Sequence, residues 1–180
     1  MKYKIEELNR EKWQGFLLPF DYISQNYYDV EIKQNDSGFR VDFVKKPFET
    51  PFQKTPHDSD RLFQFYRDEV RVWGVVEKGE LLAALETSVE GWNNRLIVTE
   101  LWVHTDHRRK GIATALMNKA FERAREEKRR MVVLETQSNN EGAINFYLGY
   151  GFMLTGFDAY AYQNNDIKRH EVRLDFGMLL

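Results

Sequence analysis

The sequence predicts a mixed α+β domain, and three observations support that prediction. Three strand-like runs follow one another over residues 69–106, separated by the turn-like stretches EKGE and EGWNN, which is typical of an antiparallel meander. An amphipathic helical pattern follows over residues 111–128. The strand-like stretch RMVVLETQ, a second helical pattern and two further strand-like runs complete the chain. At 180 residues, one domain is long enough to bury a single hydrophobic core.

The composition excludes several classes of protein. A net charge of −2 argues against a general nucleic-acid binder, which would be distinctly basic. The chain has no cysteine, so disulfides, thiolate metal sites and a covalent cysteine nucleophile are excluded. The four histidines lack metal-ligand spacing, and no apolar run approaches membrane-spanning length. We therefore expect a cytoplasmic protein, monomeric or homodimeric, with no metal and no membrane or nucleic-acid partner.

The first 68 residues are less regular than the rest. A helix is predicted to start after Asn9 and to stop at Pro19, because asparagine is a suitable N-cap and proline ends a helix. The stretch GFRVDFV at residues 38–44 alternates well enough to predict a strand. Residues 45–60 contain three prolines among aromatic and polar residues, so we expect a long loop with little regular pairing there.

The second half has clearer helical signals. The pattern over residues 111–128 places apolar side chains on one face and charges on the other. The apolar face of this predicted helix consists of Ile112, Leu116, Met117, Ala120, Phe121 and Ala124. The stretch NNEGAINFYLGYG contains an asparagine that can cap a second helix and glycines near its end. FMLTGFDAYAYQ and HEVRLDFGMLL are predicted as the two closing strands.

A basic turn joins the meander to the first of these helices. The stretch His107–Met117, HRRKGIATALM, combines three basic residues with Gly111 at the predicted start of the helix. The first N–H groups of a helix lack intrahelical partners and carry partial positive charge. With a glycine that permits close approach, such a turn favours a phosphate or another anion. A solvated basic loop is the alternative, and neither a Walker loop nor a dinucleotide fingerprint is present.

Two motifs occur in a characteristic order. Arg108-x-x-Gly111-x-Ala113 follows ELWVHTDH directly, and NNEGAINFYLGYGF comes further along the chain. This pair resembles the GNAT family of N-acetyltransferases over residues 70–180. The resemblance implies a mixed, mostly antiparallel sheet of six to seven strands flanked by about four helices. It also implies one domain, with residues 1–68 as its substrate-side part and 69–180 as its acetyl-CoA-binding core. The cofactor-binding residues that it implies are Trp102, Val103, Arg108, Arg109, Lys110, Gly111, Ala113, Thr114 and Asn140.

A closer resemblance concerns residues 134–162, LETQSNNEGAINFYLGYGFMLTGFDAYAY. This stretch is similar to the streptothricin acetyltransferases, resistance enzymes that acetylate an amine on the β-lysine arm of that antibiotic. The similarity implies that the acceptor is a small cationic amine, with streptothricin as the first candidate. A polyamine, an aminoglycoside or a protein amine is an alternative acceptor. A non-catalytic acyl-CoA-binding module is the alternative from another functional class.

Acetylation of a cationic amine requires a base that takes a proton from the amine and a proton donor for the departing thiolate. Glu100 is the candidate base, acting directly or through water, on the predicted strand 96–104. Strict alternation along this strand would place Glu100 on one face with Leu96, Val98 and Trp102. A solvated glutamate at the edge of the sheet is the alternative interpretation.

Four further residues complete the candidate site. The resemblance implies that the Tyr147 hydroxyl protonates the departing sulfur of CoA, and a core aromatic residue is the alternative. Glu135 and Asp158 are the carboxylates that we expect beside the cleft, where they would recognise a cationic acceptor. Trp92 is expected to form a wall of the cleft. Since Glu100 and Tyr147 are both present, a pure binding module is disfavoured. Without cysteine, a thioester acyl-enzyme is excluded, so we expect direct transfer.

Overall fold

A computed structural model of the chain describes residues 3–180, which contain nine strands and four α-helices. The helices are α1 (Arg10–Trp13), α2 (Ile112–Glu126), α3 (Glu141–Tyr150) and α4 (Asp166–Arg169). The strands are β1 (Glu6–Glu7), β2 (Tyr22–Asn35), β3 (Gly38–Lys54), β4 (Arg71–Glu77), β5 (Glu80–Glu90), β6 (Arg95–Val103), β7 (Met131–Gln137), β8 (Met153–Asp158) and β9 (Arg173–Leu179). Seven strands hydrogen-bond in the order β1-β4-β5-β6-β7-β9-β8, and β2 and β3 form a separate two-stranded sheet. The predicted fold class, a mostly antiparallel mixed sheet with about four helices, is confirmed.

The chain divides into two compact units, each assembled from separate stretches. The first unit comprises the residues up to Asp21, Thr55–Leu134 and Gly177–Leu180. The second unit comprises Tyr22–Lys54 and Glu135–Phe176. Strands β7 and β9 contribute residues to both units. The expected division of one domain at residue 68 stays a prediction.

The predicted meander is confirmed in the first unit. β4 pairs antiparallel with β5, and β5 pairs antiparallel with β6. Lys78 and Gly79 form the tight turn between β4 and β5 with φ of 52° and 86°, as two-residue hairpin turns require. β6 and β7 run parallel, and α2 supplies the crossover connection that parallel strands need.

Two layers cover the faces of this meander. One face carries the hydrophobic cluster of Leu8, Trp13, Leu18, Leu62, Phe63, Val72, Leu81, Ala84 and Trp102. α2 packs against β4, β5 and β6 on the other face, and all six apolar residues predicted for its inner face are buried. Arg123 is buried there too, which was not predicted. Its guanidinium donates to the Thr87 hydroxyl at 2.9 Å and to the Glu69 carbonyl at 2.7 Å, and it pairs with the Glu127 carboxylate at 2.6 Å, so the buried charge has both hydrogen-bond partners and a counterion.

The first helix is shorter than predicted. α1 begins after Asn9, whose side chain accepts from the N–H of Glu11 at 2.7 Å. It ends at Trp13 rather than near Pro19, because Gly15 adopts a positive φ of 75° and the chain leaves the helical region. Trp13 still reaches the hydrophobic cluster, so a single turn is enough to anchor this segment.

The long loop predicted from residue 45 is wrong as far as Lys54, because β3 continues to that residue. The pairing of β3 with β2 shifts just before Asn26, which lies opposite Pro47, and Pro51 falls inside the irregular stretch. Among the described strands, β3 pairs only with β2, so its other edge carries no ladder hydrogen bonds to any of them. A strand edge of this kind tolerates proline, which has no N–H to donate.

The second unit has the predicted helix with the predicted ends. Asn140 caps α3 by accepting from the N–H of Ala143 at 3.2 Å, and Gly151 ends the helix with φ of 117°. Of the two closing strands, β9 covers most of its predicted stretch, whereas β8 ends at Asp158, earlier than predicted. The chain turns there because the Asp158 carboxylate accepts from the N–H of Tyr160 at 2.9 Å.

Glu141 fixes the start of α3 to the β2–β3 hairpin within the second unit. Its carboxylate accepts from the side-chain amide of Asn26 at 2.9 Å and forms an ion pair with Lys45 at 2.5 Å. Burial raises the pKa of Glu141, but the hydrogen bonds and the Lys45 charge outweigh burial, so the pKa lies below its ordinary value. A carboxylate in the first turn of a helix also interacts favourably with the helix dipole.

Within residues 3–180, no helix is long and apolar enough to cross a membrane. The same stretch of chain contains no group of three or more histidine, aspartate or glutamate side chains that could hold a metal ion. The expectations about localisation, metal content and oligomeric state stay predictions.

Candidate active site

The turn between β6 and α2 has a conformation suited to an anion. Gly111 is the N-cap of the fifteen-residue helix α2 and lies in the left-handed region with φ of 80°. Glycine has no side chain that could cap the helix, so the N–H groups of its first turn are left for water or a ligand. A Cβ placed on Gly111 would meet no atom of residues 3–180 within 4 Å, apart from its chain neighbours, so this part of the structure leaves open space in front of it. The turn therefore has the geometry of an anion site, and the binding of the acetyl-CoA pyrophosphate there stays a prediction.

Arg108 ties this turn to two neighbouring segments. Its Nε donates to the Val103 carbonyl at 2.9 Å, and its Nη2 donates to the Asp21 carboxylate at 2.7 Å. Asp21 also accepts from the Thr105 hydroxyl at 2.9 Å. Burial raises the pKa of Asp21, but the hydrogen bonds from Thr105 and Arg108 outweigh it, so the pKa is lowered overall. Asp21 was not predicted as part of the site, because it lies 87 residues from Arg108 and belongs to no motif.

The remaining predicted residues of the turn lie beside the helix start. Arg109, Lys110 and Thr114 are exposed, and Ala113 is half-buried. The Lys110 ammonium donates to the Asp106 carbonyl at 2.7 Å. Two cations and a hydroxyl next to the uncapped end of α2 increase its capacity to bind an anion. Their direct contact with the pyrophosphate stays a prediction.

β6 extends past its pairing with β7 just before this turn. The ladder between the two strands ends at the Val98–Leu134 pair. The last five residues of β6, 99–103, extend beyond that ladder, while β5 still pairs with most of them on the other edge. An extended ligand can hydrogen-bond to such an edge as an added strand. The predicted backbone contacts of Trp102 and Val103 with the pantetheine arm fall in this stretch and stay predictions.

A β-bulge in β6 changes the face on which Glu100 lies. Glu86 pairs with Glu100, whereas Thr87 pairs with Val98, so Thr99 is an extra residue on β6. The alternation predicted from Val98 to Glu100 is therefore wrong. One extra residue moves every later side chain of the strand to the face opposite to the one that strict alternation predicts.

Glu100 consequently lies on the face that carries the hydrophobic cluster, together with Trp102. Leu96 and Val98 lie on the other face, which α2 covers. Glu100 is half-buried, and Trp102 is buried with its indole N–H donating to the Pro19 carbonyl at 3.2 Å. A half-buried carboxylate close to the end of β6 fits a base better than a fully solvated one. Its catalytic role stays a prediction.

A second carboxylate, Glu86, lies opposite Glu100 in the ladder and is fully buried. Its Oε2 accepts from the N–H of Phe63 at 2.5 Å, and its Oε1 accepts from the Thr99 hydroxyl at 2.9 Å. Burial raises the pKa of Glu86, although these hydrogen bonds and the charges of Arg67 and Arg10 lower it in part. The sequence does contain a signal for this residue, because Glu86 interrupts the apolar run LLAALETSV.

Tyr147 is buried on α3 with 7% of its surface exposed. Aromatic rings surround it within the second unit: the Phe152 and Phe176 ring centres lie 6.0 and 6.1 Å from its own. These surroundings are expected for an aromatic residue of the core. They are also compatible with a catalytic phenol, because tight packing holds the ring in one orientation. Its role as the acid stays a prediction.

The two predicted acceptor-binding carboxylates have local partners in the second unit. Glu135 is exposed on β7, and its carboxylate lies 3.5 Å from the Arg173 guanidinium. Asp158 is exposed at the end of β8, where it accepts from the backbone of Tyr160. Both carboxylates can still accept from a cationic ligand, since each oxygen has more than one lone pair. Acceptor binding by Glu135 and Asp158 stays a prediction.

Trp92, predicted to form a wall of the cleft, lies outside β6, and its role there stays a prediction. It is 85% exposed in the short 3₁₀ turn that precedes β6. Glu100 lies five positions after Arg95, the first residue of β6, which is about 16 Å along an extended chain. Trp92 therefore lies at the far end of the strand from the basic turn.

Comparison with known proteins relates these features to a family. The sequence matches the family model described as Acetyltransferase (GNAT) family over residues 40–152. Streptothricin acetyltransferase A of Bacillus subtilis (strain 168) is 30% identical over 129 residues, which cover 68% of this chain and 70% of that protein. Streptothricin acetyltransferase of Escherichia coli is 28% identical over 145 residues, which cover 79% of this chain and 76% of that protein.

Solved structures show the same architecture. The crystal structure of nourseothricin acetyltransferase is similar to this chain with a TM-score of 0.76 and 26% identity, covering 98% of both chains. A protein from Bacillus anthracis str. Ames, solved in complex with acetyl coenzyme A, has a TM-score of 0.75 and 19% identity. That comparison covers 100% of this chain and 98% of the other, and at this identity it shows the fold alone.

Proposed function

The chain belongs to the acetyltransferase (GNAT) family, and on this premise we propose that it acetylates an amine of streptothricin on the β-lysine moiety, giving resistance to that antibiotic. Family membership makes the protein an acetyl-CoA-dependent N-acetyltransferase. The choice of acceptor is supported by the similarity to the streptothricin acetyltransferases of Bacillus subtilis and Escherichia coli. It is further supported by the likeness to nourseothricin acetyltransferase over nearly the whole chain.

The main support for binding of the acetyl donor, acetyl-CoA, is the left-handed conformation of Gly111 at the uncapped start of α2. Backbone N–H groups there would bind the pyrophosphate, and Arg109 and Lys110 would add positive charge. The edge of β6 at residues 99–103 would hold the pantetheine arm as an added strand. When bound, acetyl-CoA supplies the acetyl group as a thioester. The chain has no cysteine that could accept this group, which supports direct transfer to the amine.

Glu100 is the proposed base. An alkylammonium acceptor must lose a proton before its nitrogen can attack a carbonyl carbon, and Glu100 takes that proton directly or through one water. Its position on β6 supports this role, because residues 102 and 103, two and three positions further on, belong to the stretch proposed to hold the pantetheine arm. Half-burial keeps the carboxylate accessible to an acceptor while limiting its solvation.

Tyr147 is the proposed acid. Attack of the neutral amine forms the carbon–nitrogen bond and a tetrahedral intermediate. Its collapse breaks the carbon–sulfur bond, the departing thiolate takes up a proton, and the nitrogen loses one as the amide forms. A phenol hydroxyl can donate that proton, and the fixed surroundings of Tyr147 on α3 support a single orientation of the donor. Removing this hydroxyl would leave the packing of the ring intact, so the role can be tested without disrupting the core.

The acceptor must be recognised as a cation. Streptothricin carries amines on its β-lysine moiety that are charged at neutral pH, and carboxylates are the natural partners of such groups. Glu135 and Asp158 are the proposed partners, and this choice is supported by their exposure, which leaves both carboxylates accessible to a ligand. Both residues belong to the second unit.

The proposal is tested by measuring CoA release with acetyl-CoA and a panel of amines: streptothricin, spermidine, an aminoglycoside and a lysine peptide. We expect the largest kcat/KM with streptothricin. A larger value with any other amine would overturn the choice of acceptor while preserving the enzyme class. Glu100→Gln, which is close in size to the native residue, should lower kcat at neutral pH by about 10²-fold if Glu100 is the base.

A further inference from the structure

Glu86 has no part in the steps described so far, although it lies next to them. It occupies the middle of β5, is fully buried, and pairs directly with Glu100 across the β5–β6 ladder. Residues directly opposite in an antiparallel pair project to the same face, with Cβ atoms about 5 Å apart. A carboxylate buried beside a proposed catalytic base therefore requires an explanation.

The contacts of Glu86 join two distant segments. One carboxylate oxygen accepts from the backbone N–H of Phe63 at 2.5 Å, and the other accepts from the Thr99 hydroxyl at 2.9 Å. A buried carboxylate is unfavourable unless its oxygens are hydrogen-bonded, so both contacts are needed to keep it in place. Glu86 thus links the segment before β4 to the bulge of β6.

The contact with Phe63 fixes a point at which the chain changes direction. Phe63 lies in the left-handed region with φ of 57°, which is unfavourable for a residue with a Cβ, yet its side chain is 4% exposed in the hydrophobic cluster. Shortly after it come two outward-facing aromatic residues, Phe65 and Tyr66, which are 89% and 59% exposed. The hydrogen bond to Glu86 holds the residue from which this exposed pair departs.

The contact with Thr99 holds the bulge itself. Thr99 is the extra residue that places Glu100 on the same face as Glu86. If the bulge shifted by one residue, Glu100 would turn to the face covered by α2. The Thr99 hydroxyl, bonded to a carboxylate that cannot move within the core, opposes that shift.

We propose that Glu86 is a positioning residue for acetyl transfer: through Thr99 it sets the direction of Glu100, and through Phe63 it fixes the start of the segment that bears Phe65 and Tyr66. This inference rests on the proposed role of Glu100 as the base. It assigns Glu86 no direct contact with either substrate.

The test compares three variants with the wild type. In Glu86→Ala, both contacts are lost, and we expect kcat to fall by at least about tenfold with an unchanged Kd for acetyl-CoA. In Glu86→Gln, the amide oxygen can accept from Phe63 and the amide N–H can donate to the Thr99 hydroxyl, which accepts as well as donates. Glu86→Gln should therefore keep kcat within about threefold of the wild type, since both contacts persist.

A matched control separates positioning from simple loss of stability. Thr87→Val alters the neighbouring residue of β5, which is also fully buried but bonds to Arg123 on the opposite face. It should lower the free energy of unfolding while leaving kcat and both substrate affinities unchanged, measured well below the melting temperature. If Glu86→Ala cannot be obtained folded, Thr99→Val decides, because it removes only the hydroxyl contact and should lower kcat by about twofold to tenfold.

The outcomes separate this inference from the proposed function. A wild type that acetylates none of the amines would refute the proposed function itself. An active wild type combined with a Glu86→Ala variant, or in its place Thr99→Val, that behaves kinetically like Thr87→Val would refute the positioning role. Equal losses in Glu86→Gln and Glu86→Ala would also overturn it, because the charge of Glu86 rather than its geometry would then be required.

Discussion

Gly111→Ala tests the donor site at a single atom. Gly111 has φ of 80°, and alanine in the left-handed region costs about 1–2 kcal/mol. No atom of the described chain, residues 3–180, would contact the added Cβ within 4 Å, so the substitution introduces no clash with that part of the protein. The Cβ would instead occupy the open space in which the pyrophosphate is expected, and the exposed turn can relax away from its present conformation. We expect the Kd for acetyl-CoA to rise by about fivefold to thirtyfold, which is 1–2 kcal/mol converted to a ratio.

Gly79→Ala is the matched control, because it also places alanine at a positive φ but in a different turn from Gly111. Gly79, in the turn between β4 and β5, has φ of 86°, and a Cβ added there would likewise meet no protein atom within 4 Å. Gly79→Ala should lower the free energy of unfolding by about 1–2 kcal/mol without changing the Kd for acetyl-CoA. Isothermal titration calorimetry and denaturant unfolding on both variants supply the comparison. Equal acetyl-CoA affinities in Gly111→Ala and Gly79→Ala would refute the assignment of the turn as the pyrophosphate site.

Three further predictions follow from the contacts described. Tyr147→Phe should lower kcat by about 10²-fold with little change in acetyl-CoA affinity, as measured by steady-state kinetics. A kcat equal to that of the wild type would show that Tyr147 is a core residue only. Arg108→Ala removes the bonds to Val103 and Asp21 and should raise the KM for acetyl-CoA by about tenfold; an unchanged KM would show that the turn holds its shape without them. The lowered pKa of Glu141 stabilises the fold at pH values above the ordinary glutamate pKa of 4.5, and this stabilisation is lost as pH falls through the folded-state pKa. Unfolding curves of Glu141→Gln should therefore differ from those of the wild type at neutral pH and converge with them in acid; a constant difference would contradict the sign of the shift.

The regular elements of the second half could be predicted because their patterns are local. The buried face of α2, the Asn140 cap and the Gly151 end of α3 each depend on residues a few positions apart. The turn at Lys78–Gly79 is equally local, because glycine tolerates the positive φ that it requires. Short-range sequence signals of this kind determine the ends of helices and the turns of hairpins.

Of the β2–β3 hairpin, only the first part of β3, residues 38–44, was predicted, and the structure confirms it. β2 carries mostly polar and aromatic side chains on an isolated two-stranded sheet, so one face is not consistently buried and no alternation is imposed on the sequence. The prolines at positions 47 and 51 argued against a strand, and only the shifted pairing with β2 shows where they are tolerated. The formation of β2 and the tolerance of these prolines in β3 both depend on pairing between residues that are distant in the sequence.

The candidate site shows the same division between local and long-range information. Gly111 and the basic residues around it are contiguous, so the sequence alone indicated an anion site there. The face of Glu100 depends on a bulge at Thr99, which a strictly alternating pattern does not reveal. Asp21 and Glu86 reach the site through contacts that span 87 residues to Arg108 and 23 residues to Phe63, and neither belongs to a recognised motif.

Mass spectrometry of the product formed from streptothricin and acetyl-CoA tests both the acceptor and the mode of transfer. Fragmentation of the product should locate one added acetyl group on an amine of the β-lysine moiety, and the protein itself should remain unmodified throughout turnover. An acetyl group elsewhere on the antibiotic, or no acetylated antibiotic at all, would contradict the proposed function.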